Sequence, residues 1–528
     1  MVDLQGPNRG PVMARNGLIA ANHYLAAQAG YEMLRKGGNA FDAALAAAAV
    51  LTVVEPQSSH VGGDLFALVY RPEDGRVQAI NASGPAPAAA TPDRFPNGIP
   101  NTGPLAVTVP GVVDGWLTIW EGYCSRPLAE IFEPAIALAE EGFPITTRLA
   151  AAIAANAGRL SRFPASARTF LPDGNPPEPG QILRQPDLAR TLREIADGGR
   201  EAFYRGELGR RLVKASAELG GILTEADLAA YRCEVLDPIS VNYRGYTVFG
   251  QPPVSQGFIL LECLKILEGF DLAGCGFLSP DVIHLEIEAK KLAFEDRLKY
   301  AGDPKFVEFS VDHLLSEAHA ESRRRLIRPD RAGPGQAPGQ LSVGRETTYL
   351  TAVDRHGNLV SWIQSIFHVF GSAVVAGDTG ILLNNRLCGF SPDPASPNRL
   401  EPGKRPVHTL NTYMVFRDGR PYLSGGTPGQ HYQVMVNLQV LVNVLDFGLH
   451  PQAALDAPRW GNLEGNEVQV EARIPESTVA ELRRRGHNVE LVHPWFGPGR
   501  AMLIAVDPQR GIFQGAFDIR GEGYALGW

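Results

Sequence analysis

The sequence predicts an α+β fold in which helical and strand-forming blocks alternate along 528 residues. Two β-branched and aromatic runs within residues 346–365 flank the turn sequence Asp-Arg-His-Gly-Asn, which predicts a β-hairpin. Several stretches before this hairpin place apolar residues at i, i+3 and i+4, the spacing of an amphipathic helix. After the hairpin, a second strand pair is followed by a helix that is apolar almost all round.

The N-terminal region is predicted to contain two helices and a strand pair. Residues 22–54 are rich in alanine and are interrupted at Gly37-Gly38, which is typical of a helix C-cap followed by a second helix. Residues 65–70 form a short apolar run, typical of a buried strand, and residues 76–80 can pair with it.

Three long helices are predicted in the middle of the chain, at residues 128–139, 185–195 and 281–300. The last of them carries many charged side chains, and a helix of this kind usually presents them to solvent. We therefore expect a solvated face that contains Glu286, Glu288, Lys290, Lys291, Glu295, Asp296 and Arg297.

The C-terminal region is predicted to add strands and one buried helix. Residues 381–383 are strand-like, and strands at 413–417 and 421–423 flank an Asp-Gly turn. The second of these strands ends in the glycine-rich stretch 424–430. A helix at 432–444 follows, and its apolar character predicts burial.

Composition and charge exclude several classes of function. The chain is 44% hydrophobic and 20% charged with a net charge of -8, so it has no basic footprint for nucleic acid. Its most apolar run, residues 43–54, is too short to span a bilayer, and its first residues lack an apolar signal-peptide core. We therefore expect a cytoplasmic protein, bound neither to nucleic acid nor to a membrane, whose partner is a small molecule.

Motifs of other chemistries are missing from the sequence. It contains no GxSxG elbow, no GxxxxGK[ST] phosphate loop and no HExxH zinc motif. Its five cysteines form no CxxC pair, and its twelve histidines show no close ligand spacing. The sequence therefore implies no cofactor and no metal site.

A predicted linker runs directly into a strand that begins at Thr347. Residues 329–345 are rich in Pro and Gly, which predicts a flexible segment. This arrangement suits an N-terminal nucleophile hydrolase, whose precursor cuts its own chain before a Thr, Ser or Cys. The freed α-amine then acts as general base for the hydroxyl of the same residue. The alternative is an ordinary exposed hairpin after a linker.

Ordered motifs along nearly the whole chain resemble those of the γ-glutamyltranspeptidase family. They include Gly-Gly-Asp-Leu-Phe at 62–66 and Gly-Ile-Leu-Leu-Asn-Asn at 380–385. The matching segments are 37–44, 54–56, 62–66, 109–111, 221–224, 243–246, 252–257 and 346–391. The resemblance implies an αββα sandwich of two stacked antiparallel sheets flanked by helices. It also implies a large subunit of residues 1–346 and a small subunit of residues 347–528, with a higher oligomer left open.

The resemblance assigns the chemical roles. Thr347 corresponds to the nucleophile, so the cleavage site is the Glu346-Thr347 peptide. Ser365 occupies the place of a threonine that hydrogen-bonds the nucleophile. Gly429 and Gln430 stand where the family has two glycines whose backbone N–H groups stabilise the oxyanion.

The substrate-binding positions depart from the family pattern. Ser83 stands where the family has an arginine for the γ-glutamyl α-carboxylate, and Gly389 where it has an aspartate for the α-amine. Phe367 replaces an asparagine, and the family's paired serines become His408 and Thr409. Losing both charged contacts removes what defines a γ-glutamyl group.

Arg386 replaces a neutral family residue and is the candidate for a new anionic anchor. Its guanidinium can bind a carboxylate with two hydrogen bonds, which would suit an oxamate-like or dicarboxylic acyl group. The alternative is that Arg386 pairs with a neighbouring acid such as Asp64. His408 and His368 can shape the site, although such histidines are more often packed and hydrogen-bonded.

The sequence therefore predicts a self-processing threonine amidohydrolase of the γ-glutamyltranspeptidase family that acts on a small amide. The altered pocket favours branches that hydrolyse oxamate or remove dicarboxylic side chains from cephalosporins. Two alternatives stay open. One is a conventional γ-glutamyltransferase or glutathione hydrolase, and the other is an inactive, uncleaved scaffold protein.

Overall fold

Two seven-stranded antiparallel sheets, stacked face to face, form the centre of the molecule. The structure is a computed structural model that describes residues 9–335, 346–462, 464–495, 497 and 499–528. Helices cover the outer face of each sheet. This layering is the αββα sandwich, so the predicted α+β class is confirmed.

The described strands are, in chain order, β1 (Val12–Ala14), β2 (Gly17–Ala21), β3 (Asp64–Arg71), β4 (Arg76–Ala82), β5 (Phe143–Pro144), β6 (Ile182–Leu183), β7 (Glu234–Leu236), β8 (Ile239–Tyr243), β9 (Tyr246–Gly250), β10 (Thr348–Asp354), β11 (Leu359–Ser365), β12 (Thr412–Arg417), β13 (Arg420–Gly426), β14 (Trp460–Asn462), β15 (Glu467–Glu471), β16 (Asn488–Val492), β17 (Met502–Asp507), β18 (Ile512–Phe517) and β19 (Tyr524–Gly527). The first large sheet has the order β19-β2-β10-β11-β3-β4-β7, and the second has the order β1-β18-β17-β13-β12-β9-β8. Strands β14-β15-β16 and β5-β6 form two smaller sheets.

The described α-helices are, in chain order, α1 (Tyr24–Arg35), α2 (Ala40–Val54), α3 (Val112–Tyr123), α4 (Leu128–Glu141), α5 (Thr147–Leu160), α6 (Pro164–Phe170), α7 (Pro186–Tyr204), α8 (Glu207–Glu218), α9 (Glu225–Ala230), α10 (Gly257–Leu267), α11 (Leu272–Cys275), α12 (Pro280–Tyr300), α13 (Val311–Leu314), α14 (Glu317–Arg324), α15 (Tyr432–Leu445), α16 (Pro451–Asp456) and α17 (Glu476–Arg484). Among these described helices, none combines the length and the apolar content that crossing a membrane requires.

Apolar side chains fill the space on both sides of each large sheet. Between the sheets, Leu68 of the first packs in one cluster with Met414 and Ile504 of the second. Helix α2 packs on the outer face of β10 and β11, while α10 and α15 cover the second sheet. A reciprocal capping box between Asn39 and Asp42 fixes the start of α2.

The predicted hairpin is confirmed as β10 and β11, which lie at the centre of the first sheet. They pair antiparallel from Thr348 opposite Gln364 to Val353 opposite Leu359. Strand β2 flanks β10 and strand β3 flanks β11, so both hairpin strands have neighbours on either side. The first strand begins at Thr348, and Thr347 therefore lies immediately before it.

Segments before and after residue 346 share both large sheets. In the first sheet, β2, β3, β4 and β7 precede this residue, whereas β10, β11 and β19 follow it. The second sheet mixes β1, β8 and β9 with β12, β13, β17 and β18 in the same way. The two predicted subunits would thus form one interwoven body, and the division at 346/347 itself stays a prediction.

The other helices and strand pairs predicted from the sequence are present. They are α1 with α2, β3 with β4, α4, α7, α12, β12 with β13, and the buried helix α15. The strand-like residues 381–383 form isolated bridges instead, Leu382 with Val375 and Leu383 with Gly62. The apolar run there crosses loop segments and does not join a large sheet.

The expectation of a solvated face on α12 is wrong. Five of its charged residues, Glu286, Glu288, Lys290, Lys291 and Asp296, are buried, and Glu295 and Arg297 are half-buried. The helix is enclosed because α10, α15 and α17 all contact it.

The buried charges of α12 are stabilised by specific partners. Lys291 Nζ lies 2.7 Å from Glu288 Oε1, and Trp460 Nε1 donates to Glu286 Oε2 at 2.7 Å. Lys290 Nζ donates to Asn462 Oδ1 at 3.0 Å. Buried charged groups persist only with partners of this kind, so the charge pattern indicates an internal polar layer.

The described part of the predicted linker, residues 329–335, contains no helix and no strand. Hydrogen bonds hold it to the body, from Ala332 N to Arg485 O at 2.7 Å, from Gly333 N to Glu288 Oε2 at 2.9 Å and from Lys291 Nζ to Gly333 O at 3.3 Å. The rest of the predicted linker, 336–345, lies outside the described residues.

Glu286 predicts a pH dependence of stability. Burial raises its pKa to about 8, against the opposing hydrogen bond from Trp460. A carboxyl whose pKa is higher in the folded state binds its proton more tightly there, so stability falls as pH rises from about 5 to about 8. In the Thr347→Ala chain, which is expected to stay whole, Glu286→Gln should remove this fall, worth about 3 to 5 kcal/mol. Melting temperatures at pH 5, 6, 7 and 8 measure it.

The exposed Glu133 on α4 supplies the matched control. Glu133→Gln should leave the pH profile of the melting temperature unchanged. If Glu286→Gln and its parent lose stability in parallel over this pH range, the buried carboxyl does not titrate as described.

Candidate active site

Thr347 lies buried at the start of β10 and faces the end of β11. Its Oγ1 donates a hydrogen bond to Ser365 Oγ at 3.1 Å. The antiparallel pairing of Thr348 with Gln364 places these two hydroxyls side by side. The backbone N–H of Phe367 also donates to Ser365 Oγ, at 2.9 Å. Ser365 is therefore fixed within hydrogen-bonding distance of the Thr347 hydroxyl, and its role in orienting a nucleophile stays a prediction.

The turn that carries Gly429 and Gln430 connects β13 to α15 and has an unusual backbone. Both residues have positive φ, +129° for Gly429 and +49° for Gln430. For Gln430 this is the left-handed region, which few non-glycine residues adopt. Within the described residues, the Gly429 N–H donates to no protein group.

A close contact joins the strand that leads into this turn to the first strand of the central hairpin. Gly426, the last residue of β13, lies against the ring of Tyr349, where a Cβ would come within 2.4 Å of a ring carbon. Tyr349 follows Thr347 by two residues. Only glycine fits this approach, which brings the end of β13 against the side chain of Tyr349. The two N–H groups as oxyanion donors stay a prediction.

Gln256 joins the Gly429 turn to the segment that contains His408 and Thr409. Its Nε2 donates to Thr409 O at 2.8 Å and lies 3.3 Å from Gln430 O. Its own backbone N–H donates to His408 O at 2.9 Å. The sequence analysis assigned Gln256 no role, and its only signal was membership of the matching segment 252–257.

Arg386 is fully buried and pairs with Asp64. Its Nε donates to Asp64 Oδ2 at 3.1 Å. Asp64 is the first residue of β3 and lies opposite Ser365 in the sheet register, so the guanidinium belongs to the same site as the nucleophile. The N–H of Gly84 donates to the other carboxylate oxygen at 3.0 Å. The ion pair considered from the sequence is thus present.

The pairing with Asp64 leaves most of the guanidinium available. Within the described residues, neither Nη1 nor Nη2 of Arg386 has a hydrogen-bond partner, although both atoms are buried. The ring of Phe367 covers the group, with Cζ 4.2 Å from the ring centroid. Burial lowers the pKa of Arg386 and raises that of Asp64, and each opposes the shift of the other. A second anion at Nη1 and Nη2 would stabilise the charged guanidinium further.

Phe367 and Gly389 shape the wall beside Arg386. Phe367 has φ +82°, a strained value for a residue with a side chain. A Cβ on Gly389 would lie 3.7 Å from the Phe367 ring, so this glycine faces the ring and supplies no charge. Asn398 Nδ2 donates to Gly389 O at 2.9 Å and fixes the segment.

His408 is a buried, neutral polar group in the same region. Burial lowers its pKa well below the usual value, and the nearby Arg386 and Arg405 add to the effect. Within the described residues neither ring nitrogen has a partner, and the ring packs on Phe66 at 5.1 Å between centroids. A neutral imidazole offers one donor and one acceptor, both suited to a polar ligand.

Ser83 and His368 have local partners. Ser83 Oγ donates to Asn81 Oδ1 at 2.6 Å, so its hydroxyl is engaged in holding the loop that carries Gly84. His368 Nδ1 lies 3.0 Å from Asn385 Nδ2, and burial lowers the pKa of His368 to about 4. Their geometry indicates packing roles at the edge of the site.

The carboxylate of Glu346 is held by three groups that the sequence analysis missed. Ser58 Oγ donates to Glu346 Oε2 at 2.7 Å, and Arg148 Nη2 donates to Oε1 at 3.1 Å. Arg500 Nη2 lies 3.6 Å from the same oxygen. These residues come from distant parts of the chain, and no local motif could have connected them.

Glu55 stands on the helix side of the same strand end. It accepts a hydrogen bond from Thr348 Oγ1 at 2.8 Å. Burial raises its pKa to about 7, although this hydrogen bond and Arg148 oppose the shift. The carboxyl is therefore a buried group that titrates near neutral pH.

Among the residues that the structure describes, two clusters of potential metal ligands are present, although the sequence suggested none. Each brings its ligand atoms within 4.8 Å of one another, His284 with Glu288 and His487, and Glu262 with Asp296 and His319. Protein partners already engage them: Lys291 pairs with Glu288, and Arg323 with Asp296. Their arrangement is that of internal polar networks, in which Glu262 Oε2 and His487 Nδ1 have no hydrogen-bond partner within the described residues.

Comparison with known proteins agrees with this geometry. The family model described as Gamma-glutamyltranspeptidase matches residues 26–528. The chain is 40% identical over 527 residues to a glutathione hydrolase-like YwrD proenzyme of Bacillus subtilis strain 168, with 98% of this chain and 99% of that protein covered. It is 36% identical over 534 residues to an oxamate amidohydrolase proenzyme of Klebsiella pneumoniae subsp. pneumoniae, with 98% and 99% covered.

A solved structure shows the same likeness in three dimensions. The cephalosporin acylase from Bacillus halodurans matches with a TM-score of 0.94 and 40% identity, and the match covers 100% of this chain and 99% of that one. These relatives carry the names of hydrolases and acylases. The chain therefore belongs to the γ-glutamyltranspeptidase family of enzymes, as its ordered motifs predict.

Proposed function

We propose that this enzyme is a self-processing amidohydrolase in which Thr347 is the nucleophile. The observation that carries the proposal is the buried Thr347 hydroxyl, held 3.1 Å from Ser365 Oγ directly before a central strand. The curated relatives described above are named proenzymes, which is consistent with processing. The acyl group of the substrate carries a carboxylate that binds Arg386.

Self-cleavage begins with attack of Thr347 Oγ1 on the carbonyl carbon of Glu346. The new C–O bond forms as the peptide C–N bond breaks, and the hydroxyl proton passes to the nitrogen that becomes the α-amine. Water then hydrolyses the ester, which releases the carboxylate of Glu346 and regenerates the hydroxyl. Residues 1–346 and 347–528 result, and the shared sheets keep them together.

Amide hydrolysis reuses the same atoms. The free α-amine of Thr347, with an ordinary pKa of about 8, takes the hydroxyl proton while Oγ1 attacks the substrate carbonyl. The N–H groups of Gly429 and Gln430 donate to the oxyanion. The α-ammonium then protonates the leaving amine, and water cleaves the acyl ester on Thr347 in the second half of the cycle.

The acyl specificity follows from the buried guanidinium. Nη1 and Nη2 of Arg386 present two parallel donors that suit a carboxylate, and a buried charged donor without a partner is costly. An oxamate-like or dicarboxylic acyl group carries a carboxylate that fits these two donors. The relatives named oxamate amidohydrolase and cephalosporin acylase support this class.

Conventional γ-glutamyl hydrolysis is the second candidate, because a γ-glutamyl group also carries a carboxylate that Arg386 could bind. Its α-ammonium requires an acidic partner, and Gly389 and Ser83 supply none. Asp64 is already bound by Arg386 and the Gly84 N–H. The pocket therefore favours an acyl group without an ammonium.

The first prediction concerns processing. Wild-type enzyme should separate into two chains, the smaller beginning Thr-Thr-Tyr-Leu, whereas Thr347→Ala should stay at 57.0 kDa because it lacks the attacking hydroxyl. Intact mass and N-terminal sequencing measure both. A wild-type chain that remains whole through prolonged incubation would contradict the proposal and favour the uncleaved scaffold.

The second prediction concerns Ser365. Ser365→Ala removes the acceptor of the Thr347 hydrogen bond and should slow self-cleavage by roughly tenfold or more, whereas Ser365→Thr keeps a hydroxyl and should cleave at a rate close to wild type. A time course of fragment appearance after purification measures this. Equal rates for the alanine and threonine variants would show that Ser365 does not orient the nucleophile.

The third prediction concerns Arg386. Arg386→Lys keeps the positive charge beside Asp64 but loses the paired donors, so kcat/KM for a glutaryl anilide should fall by about tenfold to a hundredfold. The neutral butyryl anilide should react as with wild type. The ratio of the two donors within each variant cancels any general loss of activity.

The exposed Arg325 supplies a control, and Arg325→Lys should leave this ratio unchanged. A γ-glutamyl anilide belongs in the same panel. If it outperforms the glutaryl donor in wild type, the conventional γ-glutamyl activity is correct instead.

A further inference from the structure

A carboxylate-binding pocket lies immediately before the nucleophile. Ser58, Arg148 and Arg500 converge on the side chain of Glu346, at 2.7 Å, 3.1 Å and 3.6 Å from its carboxylate oxygens. They come from the loop after α2, the first turn of α5 and the segment before β17. Three separate elements thus build one site for a single anion.

The pocket is partly buried and holds donors beyond those that Glu346 uses. The side chains of Arg500, Glu346 and Arg148 are 9%, 12% and 24% exposed. Within the described residues, Arg148 Nε and Arg500 Nη1 have no hydrogen-bond partner although both atoms are buried. Such donors favour an anion that stays bound in this place.

Two other carboxyls stand near the pocket. Burial raises the pKa of Glu55 to about 7, and the positive charge of Arg148 opposes this shift. Glu522 accepts a hydrogen bond from Thr146 Oγ1 at 3.0 Å. If the Glu346 carboxylate leaves the pocket, Arg148 and Arg500 lose the anion that both of them contact.

Arg500 also connects the pocket to the proposed oxyanion turn. Its backbone N–H donates to Thr427 Oγ1 at 2.9 Å, and Thr427 Oγ1 donates to Pro428 O at 2.9 Å. Gly499 lies against Gly429, with backbone atoms 3.6 Å from where a Cβ of Gly429 would be. An anion at Arg500 is therefore held on the same framework as the reacting carbonyl.

The proposed mechanism indicates which half of the substrate, the acyl group or the leaving amine, would bind in this pocket. In the uncleaved chain, Glu346 is attached to the nitrogen that becomes the α-amine of Thr347. That amine must later protonate the leaving amine, which therefore approaches the same nitrogen. The space around the Glu346 side chain adjoins this nitrogen, whereas Phe367, whose ring covers Arg386, donates its backbone N–H to Ser365 Oγ.

We propose that Arg148, Arg500 and Ser58 form, after self-cleavage, a subsite for a carboxylate on the amine half of the substrate. This inference rests on the proposed function and extends it. The substrate class is an amide that joins a carboxylate-bearing acyl group to an amino carboxylate, such as an amino acid. Glu346 occupies the subsite in the precursor and leaves it free once the peptide is cut.

Two donors with one acyl group test the subsite. Glutaryl-4-nitroanilide and glutaryl-3-carboxy-4-nitroanilide give the same acyl-enzyme, so their kcat/KM values differ only through the leaving amine. In mature wild type the carboxylated donor should be favoured about tenfold or more. Arg500→Met and Arg148→Met should each reduce this preference to threefold or less, and Ser58→Ala should reduce it partly. The ratio of the two donors within each variant cancels any general loss of activity.

Arg325→Met is the matched control, since this arginine is 75% exposed in its side chain and should leave the preference intact. Equal kcat/KM for the two donors in wild type, or a preference that survives both arginine substitutions, overturns the subsite.

If the arginine variants do not cleave themselves, inhibition of the mature wild-type enzyme by free amines tests the subsite instead. Free 3-aminobenzoate should inhibit at least about fivefold more strongly than aniline, and equal inhibition overturns the subsite. Intact mass of wild type separates the two proposals. An uncleaved chain overturns both, whereas a cleaved and active enzyme without carboxylate preference overturns the subsite alone.

Discussion

The antiparallel pairing of β10 with β11 is the constraint on which the site depends. It is held from both sides by β2 and β3, and it fixes the hydroxyls of Thr347 and Ser365 side by side. A one-residue slip of this register would turn Thr347 toward the helix layer and separate the pair. The same register places Asp64 opposite Ser365, and Asp64 in turn holds Arg386. The proposed nucleophile, its orienting hydroxyl and the proposed anion-binding group are thus positioned by neighbouring strands of one sheet.

Local sequence patterns were sufficient to predict the helices and strands, but not to predict which charged side chains are buried. Periodicity and turn residues predicted the hairpin, α2 and α15, because each has a strong apolar signal of its own. The charges of α12 were placed in solvent because a single helix cannot reveal that α10, α15 and α17 enclose it. Burial of charge is a property of the partners, such as Trp460 for Glu286, and these lie far away in the chain.

The site shows the same division. Motif order was enough to nominate Thr347, Ser365 and Arg386, and the structure brings these residues together. Motif order could not decide whether Arg386 forms an ion pair with Asp64 or serves as a free anion anchor. In the structure Nε of Arg386 donates to the aspartate, and within the described residues its two terminal nitrogens have no partner, so the ion pair and the proposed anion anchor are compatible. Gln256, Arg148 and Arg500 were missed since side chains that converge from distant segments leave no spacing to read.

The interwoven sheets have a consequence for how the enzyme refolds. While the chain is whole, its strands are covalently joined and refolding is a first-order process. If the Glu346-Thr347 peptide is cut as we propose, each large sheet contains strands of two separate chains, so the unfolded fragments must find each other before either sheet can close. The mature enzyme then depends on a slow rate of unfolding to stay active, because dilution works against reassembly. On this proposal the chain folds before it is cut, and the cut protein does not readily refold after it has unfolded.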